Sequence, residues 1–188
     1  KGPITEDNPL KPSTVYGASK LMSEVIGVNY ARNYGIAFMA LRSPVIYGPG
    51  QSRGLGFASI SAIIEGAALG KDIVVKEYRP VEDFLYVEDA AKAFWLAYLA
   101  RKTHNKIFNI GSGEIRRFTE VVKIIKERIP TARVEVARRG TTILPIRSMP
   151  LDISRAREEL GYAPSYPLEK GIDAYLEFLT KHAKPCLR

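Results

Sequence analysis

The stretch PSTVYGASKLMSEVIGVNYARNYGIAFMALRSPVIYGPG, residues 12–50, decides the architecture of this chain. Ser13 or Thr14 is a helix-capping type set just ahead of apolar residues at Val15, Leu21, Met22, Val25, Ile26 and Tyr30. That spacing returns to one face of a helix, and Gly35 suits its left-handed stop, so a helix is expected to run to about Asn33. The apolar run at 36–41 has no polar alternation and reads as a short strand buried on both faces, the habit of parallel sheets. A Gly/Pro-rich loop at 43–56 ends it. Helix, buried strand and turn in that order point to α/β architecture.

Working outward, residues 1–12 are polar and proline-rich and read as an extended loop. Downstream, 57–69 is expected to be helical, 73–76 and 84–87 are strands, and 88–101 is a helix with Trp95 and Leu96 on its apolar side. Residues 106–111 read as strand then turn. Thr119 opens a helix to about Arg128, and 134–136 alternates like a strand. Ser154 is expected to cap a short helix stopped by Gly161, and 168–181 forms the last helix. A linker fits between 140 and 150. Strands alternating with helices imply a parallel sheet.

Composition bounds the rest. With 188 residues, 46% hydrophobic and 26% charged, the chain can bury a sizeable core. No apolar run approaches the ~20 residues that span a bilayer, so no membrane role is expected. The one cysteine, Cys186, excludes an internal disulfide and suits a reducing, cytoplasmic setting. The net charge of +8 is local: residues 101–155 hold 13 of the 28 Lys/Arg and 5 of the 20 Asp/Glu, leaving 15 of each sign elsewhere. Such a stretch is either a solvated basic face or a site for an anion, whether a phosphorylated small molecule or nucleic acid.

Tyr-x-x-x-Lys occurs three times, at Tyr16/Lys20, Tyr98/Lys102 and Tyr166/Lys170. The spacing puts phenol and ammonium on one helix face. A free phenol, with pKa about 10, is a poor base near neutrality, and a neighbouring ammonium stabilises its anion. Pro167 interrupts the third pair and the second ends a helix, where lysine meets the dipole. Only Tyr16/Lys20 lies inside a well-formed helix.

The surrounding run PITEDNPLKPSTVYGASK at 3–20 resembles the active-site stretch of extended short-chain dehydrogenases/reductases, the NAD-dependent epimerase/dehydratase family. Four further segments match that family in order: LRSPVIYGPG at 41–50, DFLYVEDAAKA at 83–93, FNIGSG at 108–113 and DISRAREELGYAP at 152–164. The resemblance implies the C-terminal part of a Rossmann-like doubly wound parallel sheet plus a small α/β substrate-binding lobe. Residues 1–50 would belong to the first and 51–188 mainly to the second, with 84–111 returning to the sheet. It implies NAD or NADP, NAD favoured, and a nucleotide sugar as substrate. Tyr16 would be the acid/base and Lys20 its partner on the nicotinamide ribose, with the backbone around Pro44 and Val45 approaching the nicotinamide. A homodimer through the tyrosine-bearing helix fits the same family. The intact Tyr16/Lys20 pair argues for this enzyme over an RNA-binding or regulatory protein on the same fold. An inert fragment is the other alternative.

Two positions depart from the pattern. Val45 stands where nucleotide-sugar enzymes carry an asparagine, and Glu82 where an arginine is frequent; neither supplies a donor to a diphosphate. Arg79, Arg138 and Arg139 are the candidate substitutes for binding substrate phosphate. Tyr47, Gly48, Asp83, Tyr86 and Asp89 are expected to be architectural, Asp89 as a helix cap or a tie to its neighbouring strand. The family's glycine fingerprint has no counterpart, since the Gly-x-Gly starts at Gly48, Gly54 and Gly111 carry Arg53, Ser59 and Arg116 at the third glycine. These residues are therefore expected to be part of a longer enzyme.

Overall fold

The computed structural model describes residues 2–50, 60–76, 81–100, 102–137 and 149–182. The chain alternates helices and strands as α1 (Val15–Tyr34), β1 (Ala40–Arg42), β2 (Val45–Tyr47), α2 (Ile60–Ala68), β3 (Ile73–Lys76) and β4 (Phe84–Tyr86). It continues through α3 (Val87–Leu99), β5 (Ile107–Asn109), α4 (Phe118–Arg128), β6 (Val134–Ala137), α5 (Ser154–Leu160) and α6 (Leu168–His182). Among the described residues the three strand pairs are parallel: β1 with β5, β2 with β4, and β3 with β6. Parallel partners need a crossover between them, and the intervening helices supply it. The fold is α/β, as the residue pattern requires.

β4 shows how the core is divided. Phe84 and Tyr86 point into one apolar cluster and Leu85 into another, following the two-residue period of a strand, and all three are buried. The first cluster joins α2, α4 and α6 to β2, β3, β4 and β6, with Phe84 and Phe118 meeting edge to face at 5.2 Å. The second packs Ala90 and Ala93 of α3 and Ala156 and Leu160 of α5 around Phe108 of β5. Gly171 lets α6 approach the Tyr47 ring closely: a Cβ there would lie 2.0 Å from the phenol oxygen.

Several local expectations change. Thr14 does cap α1, accepting from the Gly17 N–H at 3.0 Å, and Gly35 closes it at φ 69°. Yet α1 buries none of its residues, and Met22, Val25, Ile26 and Tyr30 are exposed, because no described element covers that side. The strand expected over 36–41 shrinks to β1, which is half-buried and pairs with β5 alone among the described strands, while Ile36 is exposed. Trp95 is exposed too and stacks on Tyr98; only Leu96 of the expected pair packs on the core. Ser154 is the first residue of α5, whose start is held instead by Asp152 accepting from the Ser154 N–H at 2.8 Å. Asp89 caps no helix, since it lies inside the first turn of α3. Its buried carboxylate accepts from the N–H groups of Ser165 and Tyr166 at 2.8–2.9 Å and ties down the loop before α6. The linker expected within 140–150 falls almost wholly outside the described residues.

Candidate active site

Tyr16 and Lys20 stand one turn apart near the N-terminus of α1, with the Lys20 Nζ 5.4 Å from the centroid of the Tyr16 ring. Tyr16 is 64% exposed, and its hydroxyl has no hydrogen-bond partner among the described residues. The other two Tyr-x-x-x-Lys pairs differ. Tyr166 gives its hydroxyl to Glu88 at 2.5 Å, which, with lesser contributions from partial desolvation, raises its pKa, while Lys170 sits over its ring at 4.4 Å. Tyr98 stacks its ring on Trp95 at 5.6 Å, and its lysine, Lys102, lies beyond the end of α3 at Leu99. A phenol that accepts and releases protons must be open to a ligand and have its lysine beside it, and among the three pairs Tyr16 alone combines an exposed, unengaged hydroxyl with a lysine on the same helix.

Beside Lys20 lies a cleft of about 350 Å³ lined by Leu10, Lys11, Pro12, Gly17, Leu21, Glu24 and Arg42. Arg42, the last residue of β1, reaches across it. Its Nε and Nη2 donate to the two oxygens of Glu24 at 2.9 and 2.7 Å, and its Nη1 donates to the Glu6 carbonyl at 2.8 Å. The Glu24 bond raises the already high pKa of the guanidinium. Glu6 is itself anchored, its carboxylate accepting from the Asn109 N–H of β5 at 2.7 Å, while Asn109 Nδ2 donates to the Ile4 carbonyl at 2.9 Å. Parallel bridging of Ile4 to Leu151 completes the seam.

Pro44 and Val45 follow Arg42 by two and three residues and are half-buried. Val45 opens β2 opposite Phe84 and packs on the first core. The loop at 43–45 is thus held on the same chain segment that grips α1. Tyr47 is fully buried, its ring 5.4 Å from Tyr86, and Gly48 exchanges hydrogen bonds with the Ser61 hydroxyl. Both are architectural. Burial drives the pKa of the Tyr47 phenol far above its ordinary value, which removes it as a proton carrier. Arg79, Arg138 and Arg139 lie outside the described residues. Glu82 is buried and exchanges backbone hydrogen bonds with Arg116 at 2.8 and 2.9 Å.

Much of the basic stretch is locally neutralised. Arg116 meets Glu114, Glu120 and Glu169; Arg128 meets Asp173, Arg133 meets Asp72, and Arg155 meets Asp7. Acids from outside 101–155 supply four of these partners. Sequence reading missed Glu24 and Arg42. The available signal was an arginine closing an apolar strand, since a charge half-buried there demands a partner.

The family model for the NAD dependent epimerase/dehydratase family matches residues 1–111, and the chain belongs to that family. Among curated proteins it is 31% identical over 184 residues to a putative UDP-glucose 4-epimerase of Methanocaldococcus jannaschii, covering 94% of this chain and 57% of that protein. It is 30% identical over 178 residues to a dTDP-4-dehydro-6-deoxyglucose reductase of Escherichia coli, covering 93% and 55%. The solved UDP-glucose 4-epimerase of Thermotoga maritima with UDP-glucose superposes at TM-score 0.84, with 27% identity, over 98% of this chain and 59% of that one. MoeE5 in complex with UDP-glucose and NAD superposes at 0.83 with 25% identity, over 97% and 61%. The chain therefore spans a little over half the length of the relatives it matches.

Proposed function

We propose that the complete protein is an NAD-dependent epimerase or dehydratase acting on a nucleotide sugar, with Tyr16 as its acid/base and Lys20 as the partner that stabilises the phenolate. The observation that carries this reading is the Tyr16/Lys20 pair itself: side by side at the N-terminal end of α1, unengaged at the phenol, and open beside a cleft. The family and the NAD and UDP-glucose held by the related structures supply the ligand classes.

The residues present fit the nicotinamide end of such a cofactor. Lys20 would hold its ribose. The backbone at Pro44, with no N–H to compete for polar partners, and at Val45 would approach the ring. When bound, the nicotinamide supplies hydride exchange at the sugar carbon. The chain's own part is the proton. The Tyr16 phenolate takes it from the sugar hydroxyl as a carbonyl forms and returns it on reversal, and the Lys20 ammonium lowers the energy of the phenolate between those events. Arg79, Arg138 and Arg139 are the proposed phosphate contacts, because Val45 and Glu82 provide none.

In the complete protein, Tyr16→Phe is expected to lower turnover of UDP-glucose or dTDP-glucose about 10²- to 10⁴-fold, the usual share of a general acid/base. Binding of NAD, followed by calorimetric titration, should stay within a few-fold of the parent. Turnover retained in the phenylalanine variant would falsify the assignment.

A further inference from the structure

Three observations around α1 call for a common explanation. The helix fully buries none of its residues, and only a stripe that includes Leu21, Glu24, Gly27 and Val28 is even half-buried. Its polar tie to the sheet is the two-pronged Arg42–Glu24 clasp at 2.7 and 2.9 Å, with side chains only 20% and 13% exposed. Glu24 also stands one turn beyond Lys20, at the i,i+4 spacing where lysine and glutamate ordinarily pair. Here they do not pair among the described residues. Both Glu24 oxygens are held by Arg42, and the Lys20 ammonium lies over the Tyr16 ring instead.

We propose that Arg42 is a positioning residue for the Tyr16/Lys20 pair: by occupying both oxygens of Glu24 it keeps that carboxylate off Lys20, and the same clasp fixes the rotation of α1. The proposal rests on the proposed roles of Tyr16 and Lys20 and names what keeps the lysine available for them. The anchor is firm at its far end. The third guanidinium donor holds the Glu6 carbonyl, and the Glu6 carboxylate is bound by the Asn109 N–H and lies 3.7 Å from Arg155 of α5. A second contact sits three residues along the helix: the Phe38 ring lies so close to Gly27 that a Cβ there would come within 2.2 Å of it. Contacts at 24 and 27 lie on nearby faces, so together they resist rolling of the helix. The other charged groups near the clasp are Lys11 in the cleft and Asp7, the latter engaged by Arg155 at 2.7 Å. Neither carries a carboxylate in contact with Lys20.

Without the guanidinium, Glu24 is left partly buried and uncompensated, and the nearest cation on its own helix is Lys20. A lysine captured this way is a poorer nucleophile because the carboxylate holds its proton. The test is amine reactivity in the complete protein without cofactor. Trace acetylation with acetic anhydride is followed by peptide mass spectrometry, and Lys20 is read against Lys123, an exposed lysine on α4. R42Q should slow Lys20 acetylation about two- to fivefold relative to the parent, the size of a helical lysine–carboxylate pair strengthened by partial burial. The R42Q/E24Q double variant should return the rate to the parent value, because the capturing carboxylate is gone. E24Q alone should leave it unchanged.

A parent rate in R42Q, or an equal fall in E24Q, overturns the proposal. A merely structural role for Arg42 would not produce recovery in the double variant. Should R42Q fail to fold by circular dichroism, R42K replaces it with a smaller fall expected, and a parent rate there overturns the proposal equally. Because amine reactivity is read without turnover, failure of the clasp leaves the reading of the reaction to be judged by Tyr16→Phe. Failure of that variant likewise leaves the clasp standing.

Discussion

Gly171→Ala tests whether the first core is as tightly keyed as its geometry says. Gly171 lies on the buried face of α6, and a methyl there would stand 2.0 Å from the Tyr47 oxygen, 2.9 Å from its Cζ and 3.3 Å from the Tyr86 Cβ. Contact distances between such atoms are roughly 3.5 Å, so a shift of more than 1 Å is needed, and Tyr47 is fully buried with no room to yield. Overpacking of this kind costs about 1–3 kcal/mol and belongs at the upper end here. Alanine recovers about 1 kcal/mol over glycine inside a helix. The net expectation is a loss of about 2 kcal/mol. At about 2–4 °C per kcal/mol for a chain of this size, that lowers Tm by roughly 4–8 °C, measurable by circular dichroism or calorimetry. Tyr47→Phe removes the oxygen that clashes first, and its bond to the Leu168 carbonyl is long at 3.4 Å, so the single change should cost little. Combined with Gly171→Ala it should recover about 1 kcal/mol, leaving the residual clash with the ring. A rise in Tm for Gly171→Ala, or strict additivity of the two changes, would refute the reasoning.

Two further expectations concern buried and half-buried charge. Asp83 is almost fully buried, with one oxygen accepting from the Ser112 N–H and hydroxyl and the other without a partner among the described residues, and burial raises its pKa despite those bonds. A raised native pKa means the native state holds the proton more tightly, so ionised Asp83 is a destabilising element that grows as pH rises through that value. Asp83→Asn should therefore stabilise at neutral pH by on the order of 1 kcal/mol, with the gain vanishing below the unfolded aspartate value of about 3.9. Urea melts at a series of pH values check this, and a variant weaker at neutral pH would contradict it. Arg116 is held by Glu114, Glu120 and Glu169, and its hydrogen bond is the main cause lowering the Glu169 pKa. A depressed carboxylate pKa contributes stability above the unfolded value, about 4.3, which is lost as pH falls through the native one. Arg116→Met should cost about 1–2 kcal/mol at neutral pH, discounted because both Glu120 and Glu169 are more than one-third exposed. It should also flatten the acid limb, and an unchanged urea midpoint would show the cluster to be inconsequential.

The elements were legible because each is written locally. Thr14 and Gly35 bracket α1 by capping chemistry, the alternation at 134–136 marks β6, and Gly161 ends α5 at φ 68°. Errors arose where burial depends on a neighbour. The apolar side of α1 looked like a core face by spacing, but spacing cannot report whether anything packs against it. Asp89 looked by position like a helix cap or a tie to its neighbouring strand, but its partners, Ser165 and Tyr166, lie more than seventy residues away.

The same division holds at the site. Sequence by itself determined that Tyr16 and Lys20 share a helix face and that the chain has α/β architecture, because i,i+4 spacing and ordered motifs are properties of neighbouring residues. Tertiary structure decided that the Tyr166 phenol is engaged, since Glu88 of α3 lies 78 positions away along the chain. It also decided that Arg42 grips Glu24 across 18 positions of chain. Charge pairing at that range follows from how β1 is laid against α1, and no local pattern encodes that arrangement.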